Sequence, residues 1–312
     1  MLALVGFTLV LLGLVGLVKV GLDRRAARAA AVASATDEAR VIIARQVRAF
    51  GAPAFAGAEA AGELRMTLQE HLTVSARSDE QLADDCRRLQ GALAYASRDL
   101  RELAAAPVPD LPADADRDAL SDALTQLEQV DQRGAQLSQT YLAAAHASER
   151  WAAALLTMRE HHQRYVDTVS AQPESHDPQE LLALWEAERV VLDGYRDAVE
   201  AAAQVPGLEL LAAAYLAYVD ANLAWVDEAV DLLAAGDVDT YNARLTQLFA
   251  VPDPFGFRAA VADATTRSLD TGVLEDLAAT AEDGAEFVAL TRAQTPDGQP
   301  SAPSPPAVQG RL

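Results

Sequence analysis

The alternation of apolar and polar residues predicts a chain built from α-helices. Its strongest pattern runs from Leu120 to Val169, where one set of residues recurs at alternating spacings of three and four through seven heptads, with no intervening proline. We call this set the long seam: Leu120, Ala123, Leu127, Val130, Gly134, Leu137, Tyr141, Ala144, Ser148, Trp151, Leu155, Met158, His162, Tyr165 and Val169. It predicts one helix over about residues 117–171, on the order of 80 Å long at ~1.5 Å per residue.

Helices with similar seams are predicted on both sides of the long one. Ser78 and Gln81 have the spacing of a capping box, which opens a helix that extends to about residue 106. After the long helix, Asp177 is the predicted N-cap, Pro178 the first helical residue and Glu180 the partner in a second box. The apolar faces contain Leu82, Cys86, Leu89, Leu93, Ala96, Leu100 and Leu103 in the first helix, and Leu181, Trp185, Leu192, Tyr195 and Val199 in the second.

Breaks in these patterns divide the chain into five predicted segments. Gly51-Ala52-Pro53 ends the first helical stretch, and Pro206-Gly207 turns the chain inside the bundle. The predicted fold class is all-α, with an N-terminal transmembrane helix followed by an elongated antiparallel helical bundle that has coiled-coil-like seams. The segments are a transmembrane anchor (1–22), a juxtamembrane helix (23–54), the elongated bundle (55–235), short C-terminal helices (236–293) and a disordered Pro-rich tail (294–312).

The N-terminal segment predicts attachment to a membrane. Met1 to Val18 contains no charged residue, and with Val20 to Leu22 the apolar run reaches just over 20 residues, the length of a membrane-spanning helix. A cleaved signal peptide is the alternative, because Ala33-Ser34-Ala35 has the small-x-small form of a cleavage site. However, no basic residue precedes the apolar run and this site lies well beyond its end, so we favour an uncleaved anchor.

The charges beside the anchor predict its orientation. Lys19, Arg24, Arg25 and Arg28 all follow the apolar run or lie near its end. The positive-inside rule then places the rest of the chain in the cytoplasm, as the main domain of a single-pass membrane protein. The alternative orientation is extracytoplasmic.

Composition narrows the classes of partner and site. The formal net charge is −21 and Lys19 is the only lysine, so the surface repels nucleic-acid backbones and we expect no nucleic-acid partner. Cys86 is the only cysteine, which excludes an intrachain disulfide or a zinc site of several thiolates. Because Cys86 lies on an apolar seam, we expect it to be a small core residue.

Register arithmetic predicts one candidate site, a buried polar layer. If the turn after the long helix is centred near residue 174, His162 lies opposite residue 186, within one helical turn of Trp185 and Glu188. Reflection of Glu188 about the next turn reaches the region of Asn222 and Trp225. The hypothesis is a polar layer of His162, Glu188 and Asn222, bordered by Trp185 and Trp225. Such a layer fixes helix register or lines a small-ligand pocket, and we favour register.

The sequence contains little sign of a catalytic or metal-binding site elsewhere. The stretch LLTMREHHQRYVDTV at residues 155–169 is rich in polar residues, but it lacks the Glu-x-x-His pairs of di-iron bundles and the His-Glu-x-x-His of zincins. His162 belongs to the long seam, whereas Glu160, His161, Arg164 and Asp167 fall off it and are expected to face solvent or a neighbouring helix. We therefore predict no catalytic residue, no cofactor and no metal.

Two functional classes remain. The favoured one is a non-enzymatic, membrane-anchored helical scaffold or protein-interaction module, with the lipid bilayer and another protein as partners and homo-oligomerisation as a further possibility. The alternative is an extracytoplasmic ligand-binding or sensory helical bundle held by the same anchor.

Overall fold

The structure, a computed structural model, describes residues 2–73, 78–171, 177–250, 253 and 255–293, with only the backbone for 2–18, 20, 21, 73 and 249. Over these residues the chain is all-helical and contains no strand, which confirms the predicted class. The helices are α1 (Leu2–Ala49), α2 (Gly51–Thr73), α3 (Asp79–Ala105), α4 (Ser121–Ser170), α5 (Pro178–Ala202), α6 (Glu209–Ala234), α7 (Val238–Phe249), α8 (Phe257–Ser268) and α9 (Val273–Ala293). The predicted disordered tail, 294–312, lies outside the described residues.

The predicted anchor falls on the first part of α1. The side chains of residues 1–18, 20 and 21 lie outside the described part of the structure. Where side chains are described, no helix contains a run long and apolar enough to cross a membrane. The transmembrane assignment of residues 1–22 therefore stays a prediction from sequence.

The helices form two compact units that each combine distant parts of the chain. Unit 1 contains Met1–Ala52, Glu102–Gly134 and Glu286–Leu312. Unit 2 contains Pro53–Arg101 and Ala135–Ala285. Such units form because the apolar faces of helices that are remote in sequence are buried together.

The core of unit 1 is arranged around Phe50. Its ring packs edge-on against that of Phe287, with 6.1 Å between centroids. Gly134 of the long seam allows this contact, because a Cβ there would lie 2.6 Å from the Phe50 ring. The other buried side chains of unit 1 include Ala39, Ile43, Val47, Leu120, Leu127 and Val130.

The first helical stretch ends one residue earlier than predicted. Phe50 interrupts the helix, and Gly51 already begins α2. Pro53 therefore lies in the first turn of α2, where a backbone N–H has no partner within the helix and proline is tolerated. The prediction that Gly51 to Pro53 form the break is wrong for this reason.

Helix α4 carries the long seam but begins later than predicted, at Ser121 instead of residue 117. The Asp116 carboxylate accepts hydrogen bonds from the backbone N–H groups of Asp118 and Ala119, at 3.1 and 3.2 Å, which holds this segment as a turn. The seam is buried as far as Tyr165, apart from partly exposed Ala123 and His162, but Val169 at its end is exposed.

In unit 2, α5 packs antiparallel to α6. The ion pairs Arg189–Asp227 and Arg196–Asp220, both at 3.4 Å, run in opposite directions along the two helices. The Pro206-Gly207 turn joins them, and Gly207 takes a positive φ of 87° that favours glycine. This arrangement places seam residues of α4, α5 and α6 against one another.

Two predicted helix caps are present. The Gln81 backbone N–H donates to Ser78 Oγ, and the Ser78 N–H donates to Gln81 Oε1, both at 3.3 Å, which confirms the capping box. Asp177 caps α5 by accepting from the Gln179 N–H at 2.9 Å, with Pro178 as the first helical residue.

We expect Ser78→Ala to lower the free energy of unfolding by about 1 kcal/mol, because an N–H at the start of α3 loses its acceptor. Urea denaturation measures the change. Ser78→Asp retains a capping oxygen and serves as the control, so an equal loss in both variants would exclude the cap as the cause.

Candidate functional site

The structure brings Glu188 and Asn222 together through a third residue, Tyr165. The Tyr165 hydroxyl lies 3.1 Å from Glu188 Oε1 and 2.8 Å from Asn222 Oδ1. These three residues, which we call the polar layer, come from α5, α6 and α4, and their exposed fractions are only 2% for Glu188, 5% for Asn222 and 6% for Tyr165. A helix that shifted by one turn would lose these bonds, so the polar layer specifies one register.

The direction of one hydrogen bond in the polar layer is defined by the Asn222 amide. Its Nδ2 donates to the backbone oxygen of Tyr218 at 2.7 Å, so its Oδ1 faces the Tyr165 hydroxyl as an acceptor. A phenol has one proton, and both Oδ1 and Glu188 Oε1 lie within its reach. Glu188 Oε1 and Asn222 Oδ1 therefore compete for this one proton. Burial, followed by the nearby Glu188 charge, raises the pKa of Tyr165, which remains a neutral phenol.

The two tryptophans of the predicted border, Trp185 and Trp225, contact each other. The rings of Trp185 and Trp225 pack edge-on at 6.0 Å, one from α5 and one from α6. Trp185 Nε1 donates to the Tyr241 hydroxyl at 3.1 Å. Tyr241 comes from α7, a helix that the sequence analysis did not assign to the site.

His162 lies among aromatic rings, one helical turn before Tyr165. Its ring centroid is 5.3 Å from Phe257, 5.8 Å from Tyr195, 5.9 Å from Tyr215 and 6.1 Å from Tyr218. We call these five residues the aromatic cluster. Burial lowers the pKa of His162, which favours neutral imidazole, and its Nδ1 lies 3.1 Å from the Tyr195 hydroxyl as a hydrogen-bond partner.

Sequence reasoning placed His162 where the structure has Tyr165. The pairs Tyr165–Glu188 and His162–Tyr195 show that the α4–α5 connection is centred later than residue 174, near the start of α5. An error of a few residues at a turn moves the facing position by about one helical turn. Tyr165 belongs to the long seam, and this position was the sequence signal that could have identified it as a member of the site.

Most of the residues predicted to face solvent in the polar stretch 155–169 are exposed. Glu160, Arg164 and Asp167 are exposed. The Arg164 guanidinium pairs with Glu160 at 2.9 Å, and the Gln163 amide donates to Asp167 at 2.7 Å. Among the described residues, no group of three or more His, Cys, Asp and Glu side chains is placed to hold a metal ion.

We expect His162 to contribute a pH dependence to stability. Its folded-state pKa lies below 6.5, so the unfolded chain takes up the proton first and stability falls as pH drops from about 6.5 through the lowered value. Urea denaturation at about pH 7.5 and about pH 5.5 should show a smaller loss for His162→Phe than for the wild type.

The matched control for this experiment is His146→Gln, because His146 is exposed on the same helix. This variant should retain the wild-type difference between the two pH values. The same loss in His162→Phe and wild type would assign the pH dependence to other groups.

Compared with known proteins, the chain matches no family model, and no curated protein or solved structure is significantly similar to it.

Proposed function

We propose that the protein is a non-enzymatic, membrane-anchored helical scaffold. In this proposal residues 1–22 span the bilayer, the remaining chain faces the cytoplasm, and the helical units bind another protein. One observation carries it: α1 is a single helix from Leu2 to Ala49, and its second half packs into the core of unit 1. The anchor segment and a folded unit thus share one helix with no flexible joint.

This continuity supports a role in holding a binding surface at a set distance from the bilayer. Among the residues of α1 whose side chains are described, Thr36 is the first buried one, 14 residues beyond Leu22. At ~1.5 Å per residue, the packed part of unit 1 would begin about 20 Å from the end of the apolar run. A flexible linker of the same length would hold no such distance.

The interior of unit 2 supports a binding role over a catalytic one. The contacts of the Tyr165 hydroxyl with Glu188 and Asn222 join α4 to α5 and α6. In the aromatic cluster, four aromatic rings pack around the partly exposed imidazole of His162. Residues arranged in this way stabilise a register, as buried polar groups do in coiled coils.

The first test is membrane topology. Reporters active only inside or only outside the cell are fused to the C-terminus, and the membrane fraction is washed with alkaline carbonate. We expect activity only from the inside reporter and retention in the washed membrane. A variant without residues 1–22 should be released, which separates insertion from peripheral binding. Activity only from the outside reporter would contradict the proposal and favour the extracytoplasmic ligand-binding or sensory bundle.

The second test separates a scaffold from a sensor. A photocrosslinking amino acid at Val190, whose side chain is 71% exposed on α5, should capture a protein in living cells. The same amino acid at fully buried Leu192 is the matched control on the same helix. A metabolite that raises the melting temperature, with no protein captured at Val190 or other exposed positions, would overturn the scaffold in favour of the sensor.

A further inference from the structure

A groove on unit 1 lies just beyond the predicted anchor. It has a volume of about 550 Å³ and follows one face of α1, with the segment before α4 at its far end. Its lining residues on α1 recur at spacings of three and four from Arg25 to Arg40, so they form one continuous stripe. The groove therefore begins close to the apolar run and leads away from it.

The two ends of the groove differ in how their charges are satisfied. At the far end, the Arg40 guanidinium pairs with Asp37 at 3.1 Å and donates to the backbone oxygen of Ala119 at 3.4 Å. At the near end, Arg25 and Arg28 are both exposed, and the structure gives neither an ion pair with any other described residue. The two arginines are one helical turn apart on the face of α1 that lines the groove, where one anion can contact both side chains.

The near end coincides with the headgroup layer if residues 1–22 span the bilayer. Arg25 and Arg28 follow Leu22 by three and six residues, about 5 and 9 Å along a helix. Each headgroup region is about 5–7 Å thick, and arginine side chains extend several ångströms toward the phosphates. Arg40, about 27 Å beyond Leu22, lies outside this layer.

Residues 1–52 carry a net positive charge that attracts an anionic surface, although the chain as a whole is acidic. Residues 1–52 contain seven Lys and Arg against three Asp and Glu, whereas the whole chain contains 25 against 46. The remaining chain is therefore strongly acidic and is repelled by anionic lipid. Attraction to such a surface depends on this basic region.

From these observations, and given the membrane anchor of the proposed function, we propose that Arg25 and Arg28 form a binding site for the phosphate of an anionic phospholipid headgroup. The guanidinium groups donate charge-assisted hydrogen bonds to the phosphate oxygens, a geometry for which arginine is better suited than lysine. Bound lipid would hold the near end of the groove against the cytoplasmic leaflet.

The test uses the full chain with phosphatidylcholine vesicles, with or without about 30% phosphatidylglycerol. Carbonate-resistant insertion into vesicles of phosphatidylcholine alone reports on the anchor. Phosphatidylglycerol retained per protein after detergent extraction, measured by mass spectrometry, reports on the site. We expect Arg25→Gln/Arg28→Gln to insert normally but to lose preference for phosphatidylglycerol by about 30-fold, from about fivefold per arginine.

Charge-matched Arg45→Gln/Arg101→Gln should retain the preference, because both residues are exposed and neither lines the groove. Equal retention by the Arg25/Arg28 variant and wild type would overturn the site and leave the anchor intact. Failure of the wild type to insert into phosphatidylcholine would instead overturn the anchor, and the lipid site with it. Displacement of the lipid by millimolar inorganic phosphate would show that the arginines bind free phosphate, against the lipid assignment.

Discussion

Gly57→Ala should lower the free energy of unfolding of unit 2 by about 2–3 kcal/mol, because overpacking forces a buried side chain out of place. A Cβ at Gly57 would overlap the ring of Tyr141. Tyr141 is fully buried, and its hydroxyl donates to the backbone oxygen of Ala54 at 2.6 Å, so the ring has little freedom to move away. Gly284 of α9 approaches the hydroxyl of the same tyrosine, which closes another direction of movement.

The matched control is Gly62→Ala on the same helix. A Cβ there meets no atom within 4 Å, so alanine should raise stability by about 0.5–1 kcal/mol through its better helix propensity. The three tryptophans, Trp151, Trp185 and Trp225, all lie in unit 2, so their fluorescence during urea denaturation follows this unit. If Gly57→Ala matched the gain of Gly62→Ala, the close approach to Tyr141 would be wrong.

The second large effect is expected at the polar layer. Tyr165→Phe should lower the free energy of unfolding by about 1–3 kcal/mol, because Asn222 Oδ1 and Glu188 Oε1 lose the hydroxyl that lies between them in a buried site. Replacement of all three polar groups should recover most of this loss, since no buried acceptor is then left behind. The variant for this purpose is Tyr165→Phe/Glu188→Met/Asn222→Leu.

Comparison of the single and triple variants tests whether the polar layer specifies register. We expect the triple variant to have near wild-type stability in urea but broadened amide resonances, because apolar residues allow neighbouring registers. Asn222→Leu alone should lower stability less than Tyr165→Phe, because the Tyr165 hydroxyl can still donate to Glu188 Oε1. A triple variant as unstable as the single variants would show that packing around these residues, and not their hydrogen bonds, holds the three helices together.

The helical elements of this protein follow from local sequence. Seam spacing placed α3, α4 and α5 to within a few residues, because a helix at an interface buries a residue at every third or fourth position. The Ser78 and Asp177 caps were readable because they involve residues only two or three positions apart. The larger boundary error, at the start of α4, came from the Asp116 carboxylate, which held Asp118 and Ala119 in a turn.

The candidate site was predictable only in part. Short antiparallel connections limit which residues face each other, and reflection therefore placed Glu188 near Trp225 and within one turn of Asn222. The same arithmetic selected His162 in place of Tyr165, since it assumed the wrong centre for one connection. This arithmetic could not identify Phe257, because the contact of α8 with α6 is not encoded by any local spacing in the sequence.

Periodicity, caps and charge are local properties, and they account for the helices, the apolar N-terminal run and the basic region that follows it. The partners of each helix depend on which apolar faces bury one another, which is a property of the whole chain. Gly57 and Gly62 show the difference: both are glycines of one helix, yet a buried tyrosine ring from α4 reaches only the first. Steric contact between residues 84 positions apart distinguishes them, and no pattern within α2 carries that information.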